Sequence, residues 1–307
     1  MSNSSILVIK HGALGDLMQA MGVMKDIRLA YPQATISLLT SPAYISLMKR
    51  CSFIDQILVD NREPIWKIRA YHALGKLLNQ HRFDLVIDLQ NSERTFLYHF
   101  FWFRKKTWLG RGFTDPAPSS GFQGMVDVLE KSKIPTVYCR QPDLSWMVSE
   151  IDPFLNQWEI KRPYVVLVPG SSAKNKEKRW SHYSELAQLL EGIKLNVVCV
   201  VGPDESDLIA SFTCKVLQSL DWFTLASLLK SALFVIGNDT GPTHIAAHVG
   251  ANGVAIFGPN NPAKLAQITR DHFESLEVKN LHDFDAKAML AWLMQRSAFE
   301  CVNQAEV

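Results

Sequence analysis

Short runs of apolar, mostly β-branched residues alternate with longer mixed runs along most of the chain. This alternation is typical of βαβ units, in which each strand of a parallel sheet is followed by a helix. The apolar runs predict four strands in each half of the chain, at Ile6–Ile9, Thr35–Leu39, Gln56–Val59, Leu85–Leu89, Tyr164–Val168, Asn196–Val201, Leu233–Ile236 and Val254–Phe257. Because both halves repeat the same pattern, the predicted fold class is α/β with two doubly wound parallel sheets.

Helices are predicted between these strands and after the last one, beginning near Gly15, Pro42, Trp66, Asn91, Ser181, Glu205, Phe223, Gly241 and Pro262. The stretch Phe284–Phe299 has apolar residues at helical spacing and predicts a terminal helix. Between the two halves, Tyr138–Arg162 contains prolines and no clear periodicity, which makes it the best candidate for a linker. We therefore predict an N-terminal domain at residues 1–156 and a C-terminal domain at residues 157–307.

The composition narrows the class of protein without naming a function. The 307 residues are 47% hydrophobic and 20% charged, with a formal net charge of +2, which argues against disorder and gives no support to nucleic acid binding. The five cysteines are scattered without a C-x-x-C pair, as expected of reduced thiols in a cytoplasmic protein. Lys10 and His11 interrupt the first apolar run, which favours a strand over a signal peptide. No run approaches the roughly 18 apolar residues that a membrane span requires.

The first predicted strand leads through the turn Gly12-Ala-Leu-Gly15 into a helix. In open α/β sheets ligands bind at this edge, where the N–H groups of a helix N-terminus can hold an anion. A dinucleotide site is disfavoured, because the spacing is not G-x-G-x-x-G and the second strand is not followed by an acidic residue. Asp16, at the start of the helix, either complements the helix dipole or acts as a general base, and the sequence leaves both interpretations open.

A denser motif, Gly237-Asn-Asp-Thr-Gly-Pro-Thr-His244, follows a strand in the second half. Thr240 and Pro242 are typical of a helix N-terminus, as the N-cap and an early helical residue. Capping leaves Asp239 and His244 unexplained. We therefore favour a helix N-terminus that binds a diphosphate, with Thr240 and the backbone amides as hydrogen-bond donors.

Three further loops are predicted to reach the same edge of the second sheet. The loop Pro169–Trp180 carries four cations, which could neutralise phosphate directly: Lys174, Lys176, Lys178 and Arg179. The turn Gly202-Pro-Asp-Glu205 offers two carboxylates that could cap a helix or accept hydrogen bonds from ribose hydroxyls. The turn Phe257–Pro262 is the third.

Taken in order, the segments Gly12–Asp16, Lys178–Trp180, Gly237–His244 and Phe257–Pro259 resemble the bacterial heptosyltransferases of lipopolysaccharide core synthesis. The resemblance extends from about Ile6 to Pro262 and is most specific in the Asn-Asp-Thr-Gly-Pro-x-His segment. It implies a GT-B architecture, in which two Rossmann-like domains face each other across a cleft and the last helix can pack back on the N-terminal domain. It also implies that the nucleotide-sugar donor binds the C-terminal domain and the acceptor the N-terminal domain.

The same resemblance implies residue roles at matching positions. Asp16 would be the catalytic base. The donor-binding residues would be Lys178, Glu205, Asp239, Thr240, Gly241 and His244, with Asp204 as the alternative to Glu205. Candidate acceptor or phosphate contacts are Lys10, Gly15 and Lys174. The chain departs from the family pattern at Asn252-Gly253 and at Asn260-Asn261, which leaves the fine specificity for the donor open.

The implied reaction is an inverting transfer of heptose from ADP-heptose to the inner core of lipopolysaccharide, with Kdo-lipid A or a core heptose as acceptor. The resemblance implies that neither a metal ion nor another cofactor takes part. Two alternatives stay open: a GT-B glycosyltransferase for another sugar nucleotide, and a non-catalytic protein that binds nucleotide sugars.

An aromatic segment, Tyr98–Phe103, precedes the basic triplet Arg104-Lys-Lys106. Its phenylalanines are predicted to face the core of the first domain, whereas Trp102 and the triplet are predicted to touch lipid. A lipid-linked acceptor would suit such a contact. The expected location is therefore the cytoplasm, with peripheral contact at the cytoplasmic face of the inner membrane.

Overall fold

The computed structural model describes residues 4–112, 121–171, 176–260 and 262–300. The chain divides into two compact units, Met1–Asp143 and Leu144–Val307. Each unit is built around its own fully parallel sheet, with five strands in the first and six in the second. The predicted α/β fold class with two doubly wound parallel sheets is thereby confirmed.

The first unit has the strand order β3-β2-β1-β4-β5. Its strands are β1 (Ser5–Ile9), β2 (Thr35–Thr40), β3 (Gln56–Val59), β4 (Leu85–Asp88) and β5 (Thr107–Leu109). Its helices are α1 (Leu14–Ala30), α2 (Ile45–Met48), α3 (Ile68–Gln80), α4 (Glu93–Tyr98) and α5 (Gly121–Lys131), and a π-helical segment, His99–Phe103, continues α4. The apolar run of β1 is central in this sheet, and Ile6 to Ile9 are fully buried.

The second unit has the strand order β11-β10-β9-β6-β7-β8. Its strands are β6 (Tyr164–Val168), β7 (Asn196–Val201), β8 (Lys215–Gln218), β9 (Phe234–Asn238), β10 (Gly253–Phe257) and β11 (Phe273–Glu277). Its helices are α6 (Asp152–Gln157), α7 (Tyr183–Gly192), α8 (Trp222–Ser231), α9 (Gly241–His248), α10 (Ala263–Ala266) and α11 (Ala286–Leu293). Every residue of β6, β9 and β10 is buried, as expected of central strands covered on both faces.

Both sheets reverse their direction of winding at one point, between β1 and β4 in the first unit and between β6 and β9 in the second. Ligands of open α/β sheets bind beside such a switch point, at the carboxyl ends of the strands, because the following loops diverge there. The two motifs singled out in the sequence follow β1 and β9 directly. The topology therefore places each of them at the switch point of its own sheet.

All eight predicted strands are present, but three strands were not predicted: β5, β8 and β11. Each of the three lies at the edge of its sheet. An edge strand pairs on one side only and keeps part of its surface in water, so it lacks the continuous apolar run of a central strand. The sequence Phe273-Glu-Ser-Leu-Glu277 of β11, with both glutamates exposed, illustrates the missing signal.

The predicted linker is packed structure. Leu144 N donates a hydrogen bond to His248 O (3.1 Å), Ser149 N donates to Ser227 Oγ (2.8 Å), and α6 forms within this stretch. The compact units therefore separate between Asp143 and Leu144, earlier than the boundary placed after residue 156. The described terminal helix α11 lies in the core of the second unit, where Met289 and Leu293 are fully buried.

The aromatic segment after α4 is arranged differently from the prediction. Trp102 packs inward, with its ring centroid 4.8 Å from that of Tyr98 and 4.5 Å from that of Tyr71. Phe100 and Phe101, predicted to face the core, are exposed to 43% and 59%. The π-helical turn explains the difference, because its extra residue per turn rotates the faces relative to a regular α-helix.

No helix among the described residues is long and apolar enough to span a membrane. Four cysteines fall within the described ranges, and all four are free and buried: Cys51, Cys139, Cys199 and Cys214.

Candidate active site

The start of α9 is the centre of the site in the second unit. Thr240 is the N-cap residue, and its backbone is extended (φ −142°, ψ 164°). The Thr240 hydroxyl does not cap the helix; Oγ1 lies 3.1 Å from Oγ1 of Thr243. The first N–H groups of a helix have no carbonyl partner within it, so this end of α9 carries the partial positive charge that favours an anion.

Asp239 joins a lysine and a histidine at this helix N-terminus. Its Oδ2 lies 2.8 Å from Lys178 Nζ, and its Oδ1 lies 3.2 Å from His244 Nε2. The carboxylate is only 13% exposed, whereas the lysine side chain keeps 25% of its surface in water. Nδ1 of His244 is buried and has no hydrogen-bond partner in the part of the chain that the structure describes. The contact brings together three residues that the sequence placed in two separate loops.

Asn238, to which the sequence analysis gave no role, fastens the loop that carries Lys178. Its side chain is fully buried. The amide donates hydrogen bonds to Pro169 O (2.8 Å) and Gly170 O (3.1 Å), and the carbonyl accepts one from Trp180 N (3.0 Å). A fully buried asparagine must satisfy its amide and carbonyl, so its hydrogen bonds fix the loop to the end of β9. The sequence signal was an asparagine at the end of an otherwise apolar strand.

Glycines allow close approaches at this edge. A Cβ atom on Gly237 would lie 2.4 Å from Thr243 Oγ1, so only glycine lets α9 begin so close to β9. A Cβ on Gly170 would lie 2.0 Å from a carboxylate oxygen of Glu205. Glu205 Oε2 also accepts a hydrogen bond from Gly202 N (2.7 Å). The Glu205 carboxylate therefore lies over the carboxyl ends of β6 and β7, whereas Asp204 is exposed.

The cations of the basic loop before Trp180 lie in different environments. Arg179 is used within the fold, because Nε donates to Ser171 Oγ (3.0 Å) and Nη1 lies 3.3 Å from Asp207 Oδ2. Lys176 is exposed. Lys174 lies outside the described residues. Of the predicted cations that can be located, Lys178 is thus the one held at the helix N-terminus.

The site in the first unit begins at the carboxyl end of β1. Gly12 has a φ of +125°, and a Cβ there would lie 2.5 Å from the Tyr44 ring, so glycine is required on both grounds. Asp16 is half-buried in the first turn of α1, and Gly15 precedes it. Negative charge is favourable at this position of a helix.

Lys10 is buried beside two carboxylates, with only 3% of its surface exposed. Burial lowers the pKa of the Lys10 amine, and the attraction of Asp16 and Asp88 opposes that shift. Asp88 ends β4 and is itself fully buried, which raises the pKa of its carboxyl group. Its Oδ1 accepts hydrogen bonds from Gln90 N and Asn91 N, both at 3.0 Å. The switch point of the first sheet therefore holds an amine between two acids.

A second buried network, absent from the sequence predictions, joins β1, β3 and α4. The Asp60 carboxylate lies 3.1 Å from His11 Nε2, accepts a hydrogen bond from Arg94 Nη2 (3.0 Å) and accepts another from the Tyr98 hydroxyl. Burial alone would raise the pKa of Asp60, but these hydrogen bonds hold it well below its usual range. Arg94 also donates to Glu63 O (2.7 Å), which fixes the loop after β3. These residues lie in three separate segments of the sequence, so no local motif predicts the network.

The chain is similar to known proteins in sequence and in fold. The sequence model described as glycosyltransferase family 9 (heptosyltransferase) matches residues 131–291, more than half of the chain. The match covers the sheet of the second unit together with Lys178, Glu205 and the start of α9. The lipopolysaccharide core heptosyltransferase OpsX of Haemophilus influenzae is 22% identical over 85% of this chain and 81% of its own length.

Solved structures share the fold along nearly the whole chain. A family 9 glycosyltransferase from Veillonella parvula superimposes with a TM-score of 0.77 at 20% identity, covering 97% of both chains. The ADP-heptose lipopolysaccharide heptosyltransferase II of Escherichia coli superimposes with a TM-score of 0.75 at 20% identity, covering 99% of this chain and 100% of the other.

Proposed function

We propose, from the premise that this chain belongs to glycosyltransferase family 9 (heptosyltransferase), that it transfers heptose from ADP-heptose to the inner core of lipopolysaccharide. The observation that carries the proposal is the contact of Asp239 with both Lys178 and His244 at the N-terminus of α9. Cations and the N–H groups of a helix N-terminus bind diphosphates, and Lys178 is held beside the start of α9. The relative from Escherichia coli is named for an ADP-heptose donor, which supports this choice of nucleotide sugar.

Each donor-binding residue has a separate task in this proposal. Lys178 and the first amides of α9, at Thr240 and Gly241, bind the diphosphate. Asp239 holds Lys178 in place and orients His244, whose buried Nδ1 is a candidate hydrogen-bonding group for the sugar. Glu205, rather than the exposed Asp204, accepts hydrogen bonds from the ribose hydroxyls. Lys174 is a further candidate phosphate contact.

The chemical step requires a base on the acceptor and stabilisation of the leaving group. Asp16 takes the proton from an acceptor hydroxyl, the hydroxyl oxygen forms a bond to the anomeric carbon, and the bond from that carbon to the diphosphate breaks. The electron pair of that bond leaves with ADP. Direct displacement of this kind inverts the anomeric configuration. Lys178 and the amides of α9 then stabilise the charge that develops on the diphosphate, so the step as proposed needs no metal ion.

The first unit supplies the acceptor site in this proposal. Lys10, at the carboxyl end of β1, and Gly15, next to Asp16 at the start of α1, are the further candidate acceptor contacts. Kdo-lipid A and a core heptose are the two candidate acceptors. Kdo-lipid A is anchored in a membrane, so the proposal includes peripheral binding of the protein at the cytoplasmic face of the inner membrane.

The donor is tested by isothermal titration calorimetry with ADP-heptose, other ADP-sugars, UDP-sugars and GDP-sugars. We expect the tightest binding with ADP-heptose, and product release with Kdo-lipid A or a heptosylated core as acceptor. Tighter binding of a UDP- or GDP-sugar would favour the alternative of a transferase for another sugar nucleotide. Donor binding without product release on either acceptor would favour the non-catalytic alternative.

The stereochemistry has its own test. NMR of the product should show the anomeric configuration opposite to that of the donor. The same reaction run with a chelator should keep its rate, because Lys178 and helix N–H groups supply the positive charge. A retained configuration would contradict direct displacement, and loss of rate that added Mg²⁺ restores would contradict the metal-independent step.

A further inference from the structure

An exposed apolar surface in the first unit is formed by two segments that meet in space. The first precedes and begins α3 and exposes Ile65, Trp66 and Ile68 to 43%, 80% and 76%. The second is the π-helical segment, which exposes Phe100 and Phe101. Large apolar side chains exposed to this degree are ordinary when scattered singly, but a cluster indicates an interaction surface. These five residues are called the aromatic surface below.

Contacts between α3 and the π-helical segment show that the two halves of the aromatic surface adjoin. The Tyr71 and Phe101 rings meet edge to face, with centroids 6.2 Å apart. Trp102 packs against the same helix, because a Cβ on Gly75 would lie 2.6 Å from its Nε1. Ile68 and Tyr71 are three residues apart on α3 and therefore share a helix face. The inward packing of Tyr71 and Trp102 thus supports the outward positions of Ile68 and Phe101.

Basic residues accompany the aromatic surface in both of its segments. The segments 62–69 and 100–106 contain a single carboxylate, that of Glu63. They also contain six cations, all exposed: Arg62, Lys67, Arg69, Arg104, Lys105 and Lys106. Glu63 pairs with Lys67 (2.7 Å). The whole chain has a net charge of only +2, so this excess of positive charge is local.

We propose that the aromatic surface, together with the six cations of the same two segments, binds an anionic lipid bilayer and inserts Trp66, Ile68 and Phe101 between the headgroups. Tryptophan and phenylalanine are favoured at the boundary between headgroups and acyl chains, and Lys and Arg beside them are attracted to anionic lipids. A protein partner of ordinary composition would not require this local excess of positive charge. Charge complementarity therefore selects an anionic membrane as the occupant.

A chain of contacts connects the aromatic surface to the proposed active site of the same unit. The loop that carries Trp66 follows Asp60, and Arg94 anchors that loop through both Asp60 and Glu63 O. Asp60 in turn contacts His11, which follows Lys10 at the carboxyl end of β1. A lipid-bound aromatic surface would thereby present the Lys10 and Asp16 edge to an acceptor held in the same bilayer. This last step rests on the proposed function, whereas lipid binding itself does not.

The test is flotation of the full chain with vesicles of phosphatidylcholine, alone or with phosphatidylglycerol, at low salt. We expect binding to the anionic vesicles and at least tenfold weaker binding to the neutral ones. The triple variant Trp66→Ser, Ile68→Ser, Phe101→Ser should lose at least about tenfold in affinity for anionic vesicles. The variant Lys105→Glu, Lys106→Glu should lose at least about as much and should bind with a weaker dependence on salt.

A matched control removes equally exposed apolar groups elsewhere. Leu29, Val137 and Leu265 are exposed to 56%, 66% and 65%, so the variant Leu29→Ser, Val137→Ser, Leu265→Ser should bind vesicles like the wild type. Equal binding by the wild type and the aromatic-surface variant would overturn the proposal. A change in the molar mass of the free protein, without a change in vesicle binding, would identify the surface as a contact between copies and would also overturn it.

A transfer assay separates this inference from the proposed function. With a deacylated, water-soluble acceptor the aromatic-surface variant should react like the wild type, and with the acceptor embedded in vesicles it should be slower by about the factor lost in binding. Absence of transfer by every variant, with vesicle binding intact, would contradict the proposed function and leave the lipid surface standing.

Discussion

The switch points of the two sheets both place a lysine near carboxylates, but in different surroundings. Lys10 in the first unit is buried between Asp16 and Asp88, and burial lowers its pKa. Lys178 in the second unit is partly exposed and forms one ion pair, with Asp239, at a helix N-terminus. The first lysine is therefore shielded from solvent beside two acids, whereas the second keeps part of its side chain in water. In the proposed function, the same topology would serve proton removal at one sheet and anion binding at the other.

The buried hydrogen-bond networks beside the two switch points also differ, because one contains charged groups and the other is neutral. In the first unit Asp60 is held by His11, Arg94 and Tyr98 in a buried cluster that contains charged groups. In the second unit Asn238 fixes one loop through neutral hydrogen bonds. Buried charges stabilise a fold only when each keeps its partner, whereas a neutral amide network carries no such dependence on ionisation. The first unit should therefore be the more sensitive of the two to the loss of a single charge.

The largest effect is expected from Asp16→Asn, which removes the proposed base while preserving the shape of the side chain. The transfer rate should fall by about 10²–10⁴-fold. Donor affinity, measured by calorimetry, should stay within about twofold, because the proposed donor-binding residues belong to the other unit. A rate within tenfold of the wild type would show that another group accepts the proton.

The next effect is on stability, from Asp60→Asn. The substitution leaves the Arg94 guanidinium, whose side chain is 15% exposed, without its carboxylate partner, so the free energy of unfolding should fall by about 3 kcal/mol in urea titrations. The matched control is Glu93→Gln, which breaks an ion pair of the same unit whose carboxylate is 82% exposed. That control should cost less than about 1 kcal/mol. Equal losses would contradict the difference in burial.

The pH dependence of stability also tests the contribution of the ionised Asp60 carboxylate. The pKa of Asp60 is lowered in the folded chain from its ordinary value of 3.8, so its stabilising contribution is present above that pH and is lost as the pH falls below it. Subtracting the unfolding free energies of Asp60→Asn from those of the wild type isolates this contribution. The difference should be constant near neutrality and should shrink in acid. A difference that grows in acid would contradict the sign of the shift.

A smaller effect is expected from Lys178→Ala. Loss of the ammonium group removes one charge-assisted hydrogen bond to the diphosphate, so donor affinity should fall by about 10- to 100-fold, with slower transfer. Lys176→Ala is the control, because Lys176 belongs to the same short turn but is exposed, and it should change donor affinity by less than about threefold. Equal losses would assign the effect to the general charge of the loop.

The smallest effect is expected from Gly170→Ala, which tests the position of Glu205. The added methyl group would overlap the Glu205 carboxylate and displace it, so donor affinity should fall by about three- to tenfold. Gly192→Ala is the control, because a Cβ there meets no atom within 4 Å among the described residues, and it should leave donor affinity unchanged. An unchanged affinity in Gly170→Ala would remove Glu205 from the donor site.

Apolar periodicity and local motifs were sufficient for much of the fold. The central strands are continuous apolar runs, because both faces of a buried parallel strand pack against helices. The motifs after β1 and β9 were visible because strand, turn and helix follow one another within a few residues. The edge strands β5, β8 and β11 were not predicted, since half-exposed strands lack that run. The segment after Tyr138 was taken for a linker, because prolines mark both linkers and packed turns.

The sequence by itself determined the α/β class, the two sheets, the family and the segments that reach the two switch points. Only the tertiary structure showed that Asp239 holds Lys178, that Glu205 lies over Gly170, and that Asp60 joins His11, Arg94 and Tyr98. It also showed that Phe101 faces solvent and Trp102 the interior. The physical reason is the range of the interactions. Periodicity and capping act between neighbours in the chain, whereas ion pairs and ring contacts depend on distances that only folding sets.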